Sequence, residues 1–569
     1  MTANDRRWWI LALALAALTS CTPANPSAAD LLFLGDHIVT LGPEPATAVA
    51  VVEDTIVWIG DRADSAAWQG PETKVHELGD RALVPGFIDA HGHLTFTAQT
   101  LDMANLASPP VGPVETIADL AVTLEAFIEE RGIAEGDWVV GLGYDDSLIA
   151  EQRHPERRDL DAVSTTHRIA LTHVSGHLMA LNSLALEAVG YGPDTEDPPG
   201  GHLRREADGR TPNGVLEETA LGPVRGAVMR PLNAEQIRKA LVDYASYGVT
   251  TVQDGGAGRA QIEGLAAMAR EEELPLDVVA YQAMGRGMDE LPADIPVGEY
   301  QRRFKLGGVK LVLDGSPQGK TAFLTRPYHV PPPGQSADYV GYPMFPPARI
   351  DAWVDRFYGT GVPMLAHANG DAAADILIEA VQKASAAHGA KDHRTVMIHA
   401  QTVREDQLDE MAELQMVPSF FSAHTFYWGD WHRDSVLGPE RGSRISPTRT
   451  TKDRGMHFTV HNDTPIVPSD MIRLLWATTN RRTRSGQELG PEHALTVEEA
   501  LFAMTLDAAY QSFEEDEKGS IEAGKLADLV VLSRDPREGP VLDLLDVEVL
   551  ATLSHGAWVF DDAGFAGAP

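Results

Sequence analysis

The sequence predicts an α/β protein: a (β/α)8 TIM-like barrel with an inserted subdomain and a small β-sandwich domain built from both chain termini. Three observations carry this prediction. Short, nearly continuous apolar runs alternate with helical-period stretches through the middle of the chain. Both ends read as strands with no helical period. Residues 92–246, between the first two apolar runs, are far too many for a single connection.

At 569 residues the chain exceeds one compact core, and its apolar fraction of 43% and charged fraction of 23% are those of an ordinary globular protein. The net charge of −37 argues against nucleic acid or an anionic membrane face as a partner, since both demand clustered Lys and Arg. Homo-oligomerisation is compatible with the sequence.

The elements follow in chain order. Arg6 and Arg7 precede an apolar run, WWILALALAALTS (8–20), that is short for a spanning helix and suited to a signal peptide. Cys21, the only cysteine, closes LTSC (18–21), which resembles a lipoprotein box; a lone cysteine also excludes an intrachain disulfide. The expectation is a signal peptide over 1–21, a lipid anchor on Cys21, a tether over 22–30, and an exported protein of the periplasm or cell envelope. RRWW is a weak match to a twin-arginine export signal. The segments within 31–83 are short, alternating and broken by turns, and KGSIEAGKLADLVVLS (518–533) and VEVLATLSHGAWVF (547–560) repeat that pattern. They predict one composite β-sandwich from residues 31–82 and 516–562.

Between them, eight runs read as buried parallel strands: 83–91, 247–254, 275–281, 307–314, 361–367, 394–400, 415–421 and 456–463. Amphipathic stretches such as 234–247 and 371–387 separate most of them, which is the arithmetic of a barrel over 83–515. An insertion at about 100–232 has its own strands at 137–143 and 167–173.

Chemistry-bearing residues gather at the strand ends. VPGFIDAHGHLTF (84–96) carries His91 and His93, weak alone, but i and i+2 in a strand share one face. Strand five ends with His367, strand six with His399 and strand eight with Asp463. Neutral imidazoles and a carboxylate converging on the C-terminal mouth suit Zn²⁺ and its neighbours. Lys310 is the one ionisable residue within VKLVL. It either snorkels to the barrel rim or, neutral when buried, reacts with CO₂ to give a carbamate able to bridge two metals. GGAG (255–258) lacks a dinucleotide-binding spacing and reads as a tight turn. No G-x-S-x-G or H-E-x-x-H occurs, so α/β-hydrolase and zincin readings fail.

VPGFIDAHGH, the strand-four lysine, the two later histidines, the strand-eight aspartate and KGSIEAGKLADLVVL together resemble the amidohydrolase superfamily. HANGDAA, VKLVLDGS, GHLMALNSLAL and LGPERGSRISPTR are similar to its branch of N-substituted formamide deformylases and YtcJ-like proteins (amidohydrolase family 3). HND and HANGD stand where HSD and HAIGD are common, and neither departure touches a ligand. The resemblance implies His91, His93, Lys310 as a carbamate, His367, His399 and Asp463 as ligands of one or two Zn²⁺ ions, two if Lys310 bridges them. It also places His177 near the substrate, orienting it or holding the oxyanion. His173 divides between a site role and a structural one. Trp431, His432 and Arg433, in HTFYWGDWHRD (424–434), either line a substrate pocket or pack as a lid.

The implied function is hydrolysis of a C–N amide-type bond in a small molecule, of the N-acyl or N-formyl amine class. A metal-bound hydroxide would attack, and Asp463 would act as general base and return the proton to the leaving amine. A second metal or a neighbouring histidine would polarise the carbonyl. Deamination, ester hydrolysis and isomerisation on the same ligands are the rival chemistries, and a non-enzymatic regulatory or ligand-binding lipoprotein is the rival class.

Overall fold

The computed structural model describes residues 28–228, 233–285 and 287–566. Cys21, the apolar leader and most of the 22–30 tether fall outside them. Among the described residues no helix is long and apolar enough to cross a membrane.

The apolar runs form one curled parallel sheet whose eight strands neighbour each other in chain order. They are Phe87–Ile88, Val249–Ala257, Asp277–Ala283, Phe304–Val312, Met364–Ala368, Val396–His399, Val417–Phe420 and Thr459–Val460. Phe304, Leu306, Val309 and Leu311, on both faces of the fourth strand, are all fully buried. That is why these strands read as continuous apolar runs instead of alternating. The ring closes between its last and first strands through the amide of His93 donating to the Thr464 carbonyl (2.8 Å) and that of Asp463 donating to the His91 carbonyl (3.0 Å).

The helices follow their apolar spacing. Ala234–Ser246 buries Ile237, Ala240, Leu241 and Tyr244 against the barrel, and the Asn233 side chain caps its start by accepting from the Glu235 amide. Asp371–His388 buries Leu377, Ile378 and Val381 in the same way.

The run expected as the first barrel strand serves two sheets. Ala82–Pro85 pairs antiparallel with Leu529–Leu532, and only Phe87–Ile88 joins the barrel. Gly86 marks the crossing: a Cβ there would lie 2.3 Å from Thr250 Oγ1, so only glycine lets the chain pass so close to the second strand.

Two four-stranded sheets flank the barrel. Leu31–Leu34, Ala48–Val52, Thr55–Gly60 and Lys74–Glu77 form one; Ala82–Pro85, Leu529–Leu532, Val549–Ser554 and Ala557–Asp561 form the other. Phe33, Val49, Ile56, Leu83, Leu529 and Leu553 form a shared core between them. An ionic network lies under the barrel. Lys518, almost fully buried, pairs with Asp277 and lies 3.0 Å from Glu514, while Arg303 donates to Asp277 (2.9 Å) and Lys305 pairs with Glu514.

Residues 104–218 build a six-stranded sheet from Ala104–Asn105, Trp138–Tyr144, Arg168–His173, Leu178–Leu181, Gly201–Arg205 and Pro212–Glu218. The turn after Arg168–His173 and the end of Pro212–Glu218 bring His177 and Glu218 to the barrel mouth.

Candidate metal centre

His91 and His93 leave the first barrel strand, and Lys310 lies within the fourth. His367 and His399 end the fifth and sixth, and Asp463 follows the eighth. The structure brings all six together. His91 Nε2 lies 2.7 Å from Lys310 Nζ and 3.5 Å from Asp463 Oδ1. His93 Nε2 lies 3.1 Å from the same oxygen. Across the mouth, His367 Nδ1 and His399 Nε2 are 3.1 Å apart.

Outer partners set which nitrogen faces inward. The Gln253 amide donates Nε2–H to the Ala90 carbonyl, so its Oε1 faces His91 and accepts Nδ1–H at 2.7 Å. His91 Nε2 is therefore a lone pair. His461 Nδ1 lies 2.9 Å from Ser419 Oγ and its Nε2 3.2 Å from His399 Nδ1. His367 donates Nε2–H to the Gly315 carbonyl at 3.0 Å, freeing Nδ1. The inward nitrogens of His91 and His367 are the unprotonated ones, and each outward N–H is held by a neighbour, the arrangement of metal-binding histidines.

Electrostatics agree. Burial first, then the adjacent cations and rings, holds His91, His367 and His399 well below the usual imidazole range. Burial brings the Lys310 ammonium down to about 7, against the pull of Asp463. Asp89, one turn of chain before His91, is pushed up to about 8 by burial and then by Asp463, so it stays neutral beside the cluster.

These residues fit a divalent cation. Donor atoms of His91, His399 and Asp463 lie within 4.8 Å of one another, all buried. Asp463 Oδ1 is buried without a hydrogen-bond donor, although two histidine nitrogens approach it. Lone pairs and a carboxylate oxygen this close repel unless a cation lies between them. His399 (φ 72°) and Asp463 (φ 59°) sit in left-handed backbone, at an order-of-magnitude cost of about 1–3 kcal/mol each, which a positional demand on the side chain explains.

A cavity of about 600 Å³ opens onto the cluster, bordered by His93, Lys310, His367, His399 and Asp463 and, from the insertion, His177. Met103, Met284, Met288, Met344, Phe96 and Phe345 give the cavity much of its apolar lining. His177 donates Nδ1–H to Glu218 Oε2 at 2.8 Å, and its ring lies 5.0 Å from that of His367.

Four further sequence candidates lie elsewhere. His173 is fully buried, held between Asp146 Oδ1 (3.0 Å) and Ser175, behind the cavity wall. The 424–434 segment is no open loop. It forms a helix, His424–Trp431, and one π-helical turn, His432–Val436. Trp431 donates to the Gln318 carbonyl, His432 is buried against His424, and Arg433 pairs with Asp430 and Asp434. None of the four borders the cavity; His173 ends an insertion strand, and the 424–431 helix turns its aromatic face into the protein.

Sequence reasoning missed Gln253, His461 and Gly255. A Cβ on Gly255 would lie 2.3 Å from His91 Cε1, so GGAG is the end of the second barrel strand, left bare to seat an imidazole. His461 stands in the HND tripeptide, two residues before Asp463, which is the signal that could have found it.

A parallel eight-stranded barrel with converging imidazole, amine and carboxylate donors at its C-terminal mouth defines a metal-dependent hydrolase. The chain belongs to the amidohydrolase family, whose model matches residues 74–560. It is 27% identical to N-substituted formamide deformylase of Arthrobacter pascens, covering 94% of this chain and 99% of that one. It is 25% identical to the putative amidohydrolase YtcJ of Bacillus subtilis, covering 86% and 91%. Its fold matches that of an uncharacterized metal-dependent hydrolase from Pyrococcus horikoshii (TM-score 0.69, 23% identity, covering 90% of this chain and 99% of that one).

Proposed function

We propose that this chain hydrolyses the C–N bond of a small N-acyl or N-formyl amine, using His91, His93, Lys310, His367, His399 and Asp463 to hold one or two Zn²⁺ ions. The observation that carries the reading is the convergence of His91 Nε2 (3.5 Å) and His93 Nε2 (3.1 Å) on a buried oxygen, Asp463 Oδ1, that has no hydrogen-bond donor. The similarity to a protein named N-substituted formamide deformylase favours an amide-type C–N bond over deamination, ester hydrolysis or isomerisation. Bound zinc supplies Lewis acidity, which activates water near neutral pH and polarises a carbonyl.

The chain's own residues do the rest. Asp463, at the cavity wall, accepts the proton of the attacking water and passes it to the departing nitrogen. Lys310, neutral for a large fraction of the time at pH 7, is able to add CO₂ and present a carboxylate to the cluster. His177 faces the ligands from the insertion and orients the amide. The methionine wall receives the apolar substituent and excludes water. We also propose export and lipid anchoring through Cys21.

The test is turnover of a panel of N-formyl and N-acyl amines with metal quantified by elemental analysis. Chelation and His91→Ala should each abolish hydrolysis; full activity in verified metal-free protein refutes the assignment.

A further inference from the structure

A second, smaller cavity, of about 70 Å³, lies where the insertion meets the loop that follows Asp463. Ser108 and Asp145 border it from the insertion, Trp428 and Arg484 from the barrel, and Pro465, Ile466 and Val467 from the loop itself. Two donors on its walls have no acceptor. The Ser108 side chain is buried and its hydroxyl is unpartnered, and Arg484 Nε, a buried atom, has no partner either. The rest of the guanidinium touches the Pro109 carbonyl and the rings of Phe426 and Tyr427, and among the described residues no carboxylate pairs with it. Asp145, the acid on the wall, has both oxygens engaged. Its Oδ2 accepts from Trp428 Nε1 (2.6 Å), and its Oδ1 accepts from the Ser147 hydroxyl (2.6 Å) and amide (2.9 Å). Burial lowers Arg484 from the usual guanidinium range against the pull of Asp145, but an arginine keeps its charge all the same.

A half-buried guanidinium with no counter-ion is costly, and an anion at its free Nε–H relieves that cost. The cavity is several times the roughly 10–15 Å³ that one water needs. Water suits it poorly, because each molecule wants two to four polar partners and Val111, Leu148, Val174, Ile466 and Val467 supply none. The two free donors come from different segments, which suits an ion with two acceptor atoms and a short apolar back. Sulfate and phosphate carry more oxygens and more charge than two side-chain donors satisfy.

We infer that this cavity is a binding site for a small monocarboxylate of the formate or acetate class, with Arg484 Nε–H and the Ser108 hydroxyl as its donors. Its place couples it to the metal centre. The Ile466 amide donates to the Asp463 carbonyl (2.8 Å), and the Ile466 side chain borders both this cavity and the large one. A bound carboxylate therefore ties the insertion to the loop that carries Asp463. An acid of this size is also what hydrolysis of an N-formyl or N-acetyl amine releases. That link rests on the amide-hydrolase reading above; the site itself does not.

The test titrates the full chain with sodium formate, acetate, chloride and sulfate at constant ionic strength. Binding is followed by thermal midpoint and by tryptophan fluorescence, to which Trp428 on the cavity wall contributes. Carboxylates also ligate zinc, so each titration is run on metal-loaded and on chelator-treated protein, and the component common to both belongs to this site. Formate or acetate should bind there with a Kd of about 1 mM, the scale for a ligand of three or four heavy atoms. Arg484→Gln should weaken that component about tenfold or more and Ser108→Ala about fivefold, the scale of one charged and one neutral hydrogen bond. If Arg484→Gln does not fold, Ser108→Ala reads the loss with the smallest change to the wall. No saturable component, or one that both substitutions leave untouched, overturns the proposal. Equal binding of chloride or sulfate overturns the carboxylate assignment. The expected binding and losses in a protein that turns over no amide support the site and refute only its link to hydrolysis.

Discussion

Gly255 offers the sharpest test of how the centre is seated. In Gly255→Ala the new Cβ would lie 2.3 Å from His91 Cε1 and 2.4 Å from Nδ1, where an ordinary contact is 3.4–4 Å. The ring must retreat by about 1 Å, the shortfall between those values. It has nowhere to go without breaking its bond to Gln253, whose Oε1 lies 2.8 Å from the same Cβ. Overpacking of this kind costs about 1–3 kcal/mol. Nearly all of it opposes the one ring orientation that aims Nε2 at Asp463, so metal affinity should fall by about 5- to 150-fold, as the same energy expressed in equilibrium constants. Metal affinity is read by competition with a chromogenic chelator, and the thermal midpoint of the metal-free protein reports fold integrity. Gly258→Ala is the control: its Cβ meets only the flexible end of Gln261, at 2.9 Å. Wild-type metal affinity in Gly255→Ala, with a normal fold, would refute the argument that the bare strand end exists to seat His91.

Two stability predictions follow. Lys518→Met removes the cation shared by Asp277 and Glu514 and should cost about 3–5 kcal/mol, seen as a lower thermal midpoint at pH 7 and partly recovered by adding Glu514→Gln; an unchanged midpoint counts against the network. Burial holds His432 at about 3, and it holds His154 at about 3 despite the opposing pull of Asp146, so both are neutral in the folded state while the unfolded chain takes up their protons below about 6.5. The contribution of these two histidines to stability is therefore complete above about pH 7 and is lost as pH falls from about 6.5 towards 3, by about 1.4 kcal/mol per histidine at pH 5.5. Urea unfolding of the metal-free protein at pH 8 and pH 5.5 checks the sign, and equal or greater stability at pH 5.5 contradicts it.

Much of the fold was legible because burial on both faces writes a parallel barrel strand as an apolar run. The eight runs, the helices at 234–247 and 371–387, and the alternation between strands and helices all rest on local pattern. The six donor residues were visible for a related reason: strand ends are where period and chemistry meet in the sequence itself. What escaped depends on approach between distant segments. Gly86 and Gly255 matter because of Thr250 and His91, which no local pattern reveals. Gln253 and His461 act through one nitrogen of a neighbour. Sequence alone leaves the 424–434 segment open between pocket wall and packed lid, because only the fold shows that a helical turn buries Trp428, which donates Nε1–H to Asp145 Oδ2.

The closure of the barrel has a consequence for the order in which the molecule assembles. The backbone bonds that shut the ring belong to His91, His93, Asp463 and Thr464, and three of those four residues also contribute donor side chains. The first and last donors are therefore united only when the eighth strand docks beside the first, with about two-thirds of the chain lying between them. An ion cannot nucleate such a fold, because no short stretch of chain contains the full set of donors. For the proposed centre, the full donor set therefore exists only once the ring is shut.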